Sequence, residues 1–188
     1  KYDVWGTVND FSKYQDFFPS ELRSKIINNV LSDRISTVEK VINENLPDII
    51  INCTGIVKQN KIVDQRNMMF QLNGLFPHQL AMLADRINAK VITMATDCVF
   101  DGKKETPYLE SDLPSSYDDY GMSKYLGELH NTKHLTLRTS LIGHELTSNL
   151  GLLEWFLNEE KSEITGYKKA IFSGLTTIEL IPKLHSLL

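Results

Sequence analysis

Hydrophobic positions along the chain fall into two alternating kinds of pattern. Short, continuous apolar runs rich in β-branched residues occupy 48–52, 90–95 and 135–139. Runs of this kind predict strands buried on both faces, as in a parallel sheet. Between them the apolar residues recur at helical spacing. The stretch 37–45 places Val38, Val41 and Ile42 on one face, with Ser36 as the expected N-cap. The stretch 64–87 carries Met68, Leu72, Leu75, Leu80, Leu83 and Ile87, and 116–132 carries Tyr120, Tyr125, Leu126 and Leu129. Strand and helix alternate down the chain, the mark of a doubly wound α/β fold of Rossmann-like type.

Both ends depart from this rhythm. The chain opens inside a β-rich run, Tyr2-Asp3-Val4-Trp5-Gly6-Thr7-Val8, so the fold is expected to be N-terminally truncated. Beyond Ser140 the pattern predicts a short helix at 151–157, a strand at 170–173 and a helix at 177–188. Pro182 should kink that last helix unless the helix starts there. The chain is therefore expected to divide into 1–140 and a smaller part, 141–188, both partial.

Composition removes several classes of function. Twenty Lys and Arg against 24 Asp and Glu give a net charge of −4, without the basic excess of a nucleic-acid binder. No apolar run is long enough to span a bilayer. Two cysteines, Cys53 and Cys98, are too few for a disulfide scaffold and fit a reducing cytoplasm.

In an open parallel sheet, ligands bind at the carboxyl ends of the strands. After the first internal strand come Asn52-Cys53-Thr54-Gly55, small residues that let a ligand approach the backbone. After the second come Thr96-Asp97-Cys98-Val99-Phe100-Asp101-Gly102, and before the third lies Tyr120-Gly121-Met122-Ser123-Lys124. Tyr120 and Lys124 share a helix face. An ammonium about 4 Å away at an effective dielectric near 20 would favour the phenolate by roughly 4 kcal/mol. That suits general acid–base work, with Thr96 orienting the same carbonyl oxygen. A tyrosine four before a lysine also arises by chance, and an exposed pair would look the same; the strand-end turns around it give it weight.

Other features have plainer readings. His130 and His134 are four apart, yet nothing with ligand spacing joins them, so no metal site is expected. The cysteines read as small buried hydrophobes, Trp155-Phe156 and Tyr167 as core or interface, and Glu159-Glu160-Lys161 as a solvated helix end.

The strings 95–102, 120–124 and Leu137-Arg138-Thr139-Ser140 resemble the extended short-chain dehydrogenase/reductases, and within them the dTDP-4-dehydrorhamnose reductase branch, from about Tyr2 onward. The resemblance implies reduction of a nucleotide-activated 4-keto sugar with NADP or NAD, with a partial dinucleotide-binding domain over 1–140 and a partial, small substrate-binding region over 141–188. It implies catalytic roles for Thr96, Tyr120 and Lys124, and cofactor contacts from Thr54, Gly55, Ile56, Asn73, Tyr120 and Lys124. Asn73 would support the lysine through backbone and water; Thr96, Asp97 and Leu141 would face the substrate. A cytoplasmic enzyme follows, with pairing into a homodimer open.

Three departures stand beside it. No Gly-rich phosphate turn is present, so this chain alone is expected to lack its main phosphate anchor. Val8-Asn9-Asp10 holds no arginine to argue for NADP, and Leu141 stands where many members carry tryptophan. Two alternatives remain: an NAD-dependent sugar-nucleotide epimerase or dehydratase, and a non-catalytic, reductase-like binding subunit. Net consumption of reduced cofactor separates the first of these from a reductase.

Overall fold

A computed structural model describes residues 2–58, 65–146, 151–159, 163–170, 172 and 174–188. The chain divides into two compact units, 1–138 and 139–188.

The first unit is a parallel α/β structure of Rossmann-like type. β1 (Gly6–Thr7) pairs in parallel with β2 (Ile26–Ile27). A second sheet has the order β3-β4-β5, with β3 (Ile49–Asn52), β4 (Lys90–Met94) and β5 (Leu135–Leu137) all parallel. Parallel neighbours need crossovers. α3 (Gln65–Met69), a π-helical segment (Phe70–Leu75) and α4 (Phe76–Arg86) join β3 to β4, and α5 (Asp119–Leu126) joins β4 to β5. Before β3 come α1 (Ser20–Arg23) and α2 (Ile35–Asn45). β2 has only two apolar residues, too few to show a period.

The main core joins helix faces to the sheet. Val38 and Ile42 of α2, Phe76, Leu80, Leu83 and Ala84 of α4, Val91 of β4, and Leu129 form one buried cluster. Ile56, Met69 and Leu72 form a second, against which Met68 and Tyr120 pack. Each fully buried Leu, Ile or Phe contributes about 1.5–3 kcal/mol.

Several expectations shift. Ser36 is not the cap of α2, which starts at Ile35 after Arg34. Thr37 closes the preceding turn instead, accepting from Leu31 N at 2.9 Å and donating to Leu31 O at 3.0 Å. The 116–132 helix shortens to α5 because Asp118 caps its start and the chain must turn at Gly127. His130 and His134 therefore share no helix face. His134 is buried, with Nδ1 accepting from Val91 N at 3.1 Å, which is a structural role. Among the described residues, no group of three or more His, Cys, Asp or Glu could hold a metal. No helix among them is long and apolar enough to cross a membrane.

In the second unit, β6 (Leu141–Ile142) pairs in parallel with β7 (Leu175–Thr176), accompanied by α6 (Leu152–Leu157) and α7 (Thr177–His185). Thr176 and Glu179 form a reciprocal capping box that starts α7 at Thr177, so Pro182 falls inside the helix. Of the predicted 170–173 strand, Ile171 and Ser173 lie outside the described residues, and Ala170 and Phe172 are not in a strand. Asp64, Glu160 and Lys161 also lie outside them.

Candidate active site

The carboxyl ends of β3 and β4 meet the long helix and α5. Asn52, buried at the end of β3, donates from Nδ2 to Thr93 Oγ1 on β4 at 3.0 Å. Its Oδ1 accepts from Thr54 N at 3.1 Å, which turns the chain into Gly55 and Ile56.

Asn73 then locks that loop. Its Oδ1 accepts from Ile56 N at 2.8 Å, and its Nδ2 donates to Ile56 O at 3.0 Å and to Ser123 Oγ at 3.1 Å. Ser123 Oγ in turn donates to the Tyr120 backbone O at 2.9 Å. Asn73 lies in the π-helical segment, whose wider turn presents Leu72, Asn73 and Gly74 together to the interior. One amide thus ties the β3 loop, the long helix and α5 together.

Lys124 sits at this junction. Its Nζ donates to Met94 O at 3.0 Å, at the end of β4. A Cβ on Gly55 would lie 2.8 Å from that Nζ and 3.0 Å from Asn73 Oδ1, so glycine leaves the ammonium uncovered on the loop side. Burial pushes the Lys124 ammonium below its ordinary value.

Thr96, also buried, caps the short turn Asp97–Val99 by accepting from Cys98 N at 3.2 Å. Its hydroxyl donates to Asp97 Oδ1 at 3.4 Å, and its nearness to the Tyr120 phenol favours the ionised form. The net effect at Tyr120 is nonetheless upward. Burial raises the phenol most, Asp97 and Cys98 add to that, and Thr96 and Lys58 oppose it. This corrects the expectation that Lys124 would pull the phenol down. The ammonium is engaged by a backbone carbonyl, and the cation lying over the ring is Lys58, 5.7 Å from its centroid.

Lys58 pairs with Asp118 at 2.8 Å and Arg66 with Asp119 at 3.3 Å. Together with Gln65, Met69 and Tyr120 these four line a cavity of about 390 Å³. No motif singled out Lys58 or Arg66; they lie near each other only through the fold.

A further network props the segment after Thr96. Arg138 forks onto Glu128 with two bonds of 2.7 Å and donates to Glu110 O at 3.2 Å. Its guanidinium lies 5.2 Å from the Phe100 centroid. Phe100 stacks on Tyr108 at 4.2 Å, and Tyr108 Oη donates to Asp101 Oδ1 at 2.9 Å. That bond and the Lys103 backbone N–H hold the Asp101 carboxyl at about 2. Only the Arg-Thr-Ser string hinted at this network.

The structure therefore brings together Thr54, Gly55, Ile56, Asn73, Thr96, Asp97, Tyr120 and Lys124 within the first unit. Leu141 belongs to the second unit, in β6, and is exposed. Cys53 and Cys98 are free thiols.

Comparison with known proteins identifies the family. The RmlD substrate binding domain matches residues 27–164. A dTDP-4-dehydrorhamnose reductase of Shigella flexneri is 30% identical over 131 residues, covering 68% of this chain and 44% of that protein. One from Sinorhizobium fredii is 35% identical over 111 residues, covering 57% of this chain and 38% of that protein. The chain thus spans less than half the length of these relatives. A dTDP-4-dehydrorhamnose reductase from Bacillus anthracis, solved in complex with NADP, superposes with a TM-score of 0.74 at 26% identity over 98% of this chain and 70% of that one. A Clostridium acetobutylicum counterpart gives 0.75 at 24% identity, over 94% of this chain and 65% of that one. With the matched region running from β2 through the Asn73 lock, Thr96, Tyr120 and Lys124, the chain belongs to the RmlD substrate binding domain family.

Proposed function

We propose that this chain is part of a reductase of nucleotide-activated 4-keto sugars that works in the cytoplasm with NADP or NAD. The observation that carries the reading is the arrangement around Tyr120. The Thr96 hydroxyl faces the phenol closely enough to act on its ionisation, and Lys124, one turn further along α5, stands over the glycine of the β3 loop.

The residues present suit a dinucleotide. Thr54, Gly55 and Ile56 offer a backbone edge without side-chain bulk at Gly55, and the Lys124 ammonium is uncovered there to meet ribose hydroxyls. When bound, a reduced nicotinamide supplies hydride to a carbonyl carbon. Tyr120 supplies the proton: its O–H bond breaks as a new one forms on the former carbonyl oxygen. A phenol raised by burial is fully protonated at neutral pH, the state a donor needs. Thr96 aligns the oxygen, and Asp97 beside it faces the sugar. The functional labels of the two units follow, cofactor binding for the first and substrate binding for the second.

The test is to supply the intact gene product with a nucleoside-diphosphate 4-keto sugar and follow reduced cofactor by its absorbance. One cofactor oxidised per alcohol formed is expected. An epimerised or dehydrated sugar without net cofactor consumption would overturn the reading.

A further inference from the structure

Lys58 carries no motif, yet its position is built. Two residues before it, Ile56 is pinned at both backbone groups by Asn73. At its tip the ammonium meets Asp118 Oδ2 at 2.8 Å and lies 5.7 Å from the Tyr120 centroid. Asp118 is itself fixed, because Oδ1 accepts from Gly121 N at 2.9 Å and Oδ2 from Ser116 Oγ at 3.2 Å. Arg66, on the same cavity, is turned to Asp119 and lies 5.9 Å from the Phe70 centroid. Asp97 and Cys98 face the phenol from the turn after β4 and oppose its ionisation.

Resting on the reductase reading, we propose that Lys58, held over the face of Tyr120 by Asp118, is a positioning residue of the reaction that eases release of the phenol proton to the substrate oxygen. As the Tyr120 O–H bond breaks, the phenolate left behind carries a full negative charge until solvent returns a proton. An ammonium over the ring offsets that charge more than it affects the neutral phenol. Asp118 keeps the ammonium in place and weakens its effect. With both side chains 48% exposed, water screens it further, so this is fine adjustment rather than the source of the chemistry.

The test places a fluorinated tyrosine at position 120, whose lower intrinsic pKa keeps titration within the range the fold tolerates. Its fluorine resonance is followed against pH in the intact protein. Lys58→Met should move the midpoint upward, and Lys58→Arg should restore it. In the otherwise native enzyme, Lys58→Met should lower turnover about two- to fivefold at neutral pH and shift its alkaline limb upward. Near-ultraviolet circular dichroism confirms that each variant is folded. A midpoint unchanged in Lys58→Met overturns the proposal, whatever the enzyme reduces. A shifted midpoint in a protein that reduces no keto sugar sinks the reductase reading and leaves the electrostatic role standing.

Discussion

Lys124 and Tyr120 stand one turn apart on α5, yet their surroundings are of different kinds. Around the lysine the contacts are buried and mutually locked: Asn73 holds Ile56 and Ser123, and Met94 O holds the ammonium. Around the tyrosine the partners are exposed ion pairs, Lys58–Asp118 and Arg66–Asp119, lining a cavity. The lysine side is a scaffold that also presents a charge; on the proposed reductase function, the tyrosine side is the face where substrate would enter. A site divided in this way can fix cofactor geometry rigidly while the substrate side adjusts.

The largest effect should come from the open side. Tyr120→Phe removes the proton donor without disturbing the packed ring, and should lower turnover by about 10²–10⁴-fold with the melting temperature nearly unchanged. Equal losses in turnover and stability would mean that the phenol is a structural group and the comparison is misdrawn.

The locked side should answer in stability. At Gly127, where α5 ends, an added Cβ would overlap the Asn73 carbonyl oxygen. Since that atom is backbone of the π-helical segment, it cannot swing away. Gly127→Ala should cost about 3 kcal/mol, read as a lower urea midpoint. Asn73→Ala deletes three buried hydrogen bonds and leaves both backbone groups of Ile56 without their partner; a loss of about 2–3 kcal/mol is expected. Turnover should fall with it as Gly55 shifts against Lys124. If Asn73→Ala leaves stability intact, the amide is no lock.

These residues differ in how readily the sequence discloses them. The strands β3 and β4 are built on continuous β-branched runs and β5 on leucines flanking a threonine, so length and composition suffice. Thr96, Tyr120 and Lys124 sit in strings that resemble a known family, and their placement at strand ends follows from the parallel sheet. The π-helical segment is different: Met68, Leu72 and Leu75 keep helical spacing, and the extra residue per turn is settled by packing against α5. α5 was expected to run through Leu129 and beyond because the apolar positions continue. Only the close approach of Gly127 to Asn73 explains the stop. Lys58 has no local signature, since its partners Asp118 and Tyr120 are some sixty residues away.

The smallest effect should separate the two sides most cleanly, because their titrations act on stability in opposite directions. Burial holds Lys124 below 10.5 and Tyr120 above 10.0. Between the folded value of Lys124 and 10.5, the unfolded chain binds more protons, so this lysine makes the protein more stable as pH rises. Between 10.0 and the folded value of Tyr120 the folded chain holds the proton longer, so this tyrosine makes it less stable as pH rises. Urea melts across that range should therefore show Lys124→Met losing the rising contribution and Tyr120→Phe losing the falling one. If both variants change the slope in the same direction, burial does not set the titration of one of the two side chains. Burial disfavours the charged form of each group, the protonated lysine and the deprotonated tyrosine, so a shared sign would leave one of the two assignments without its cause.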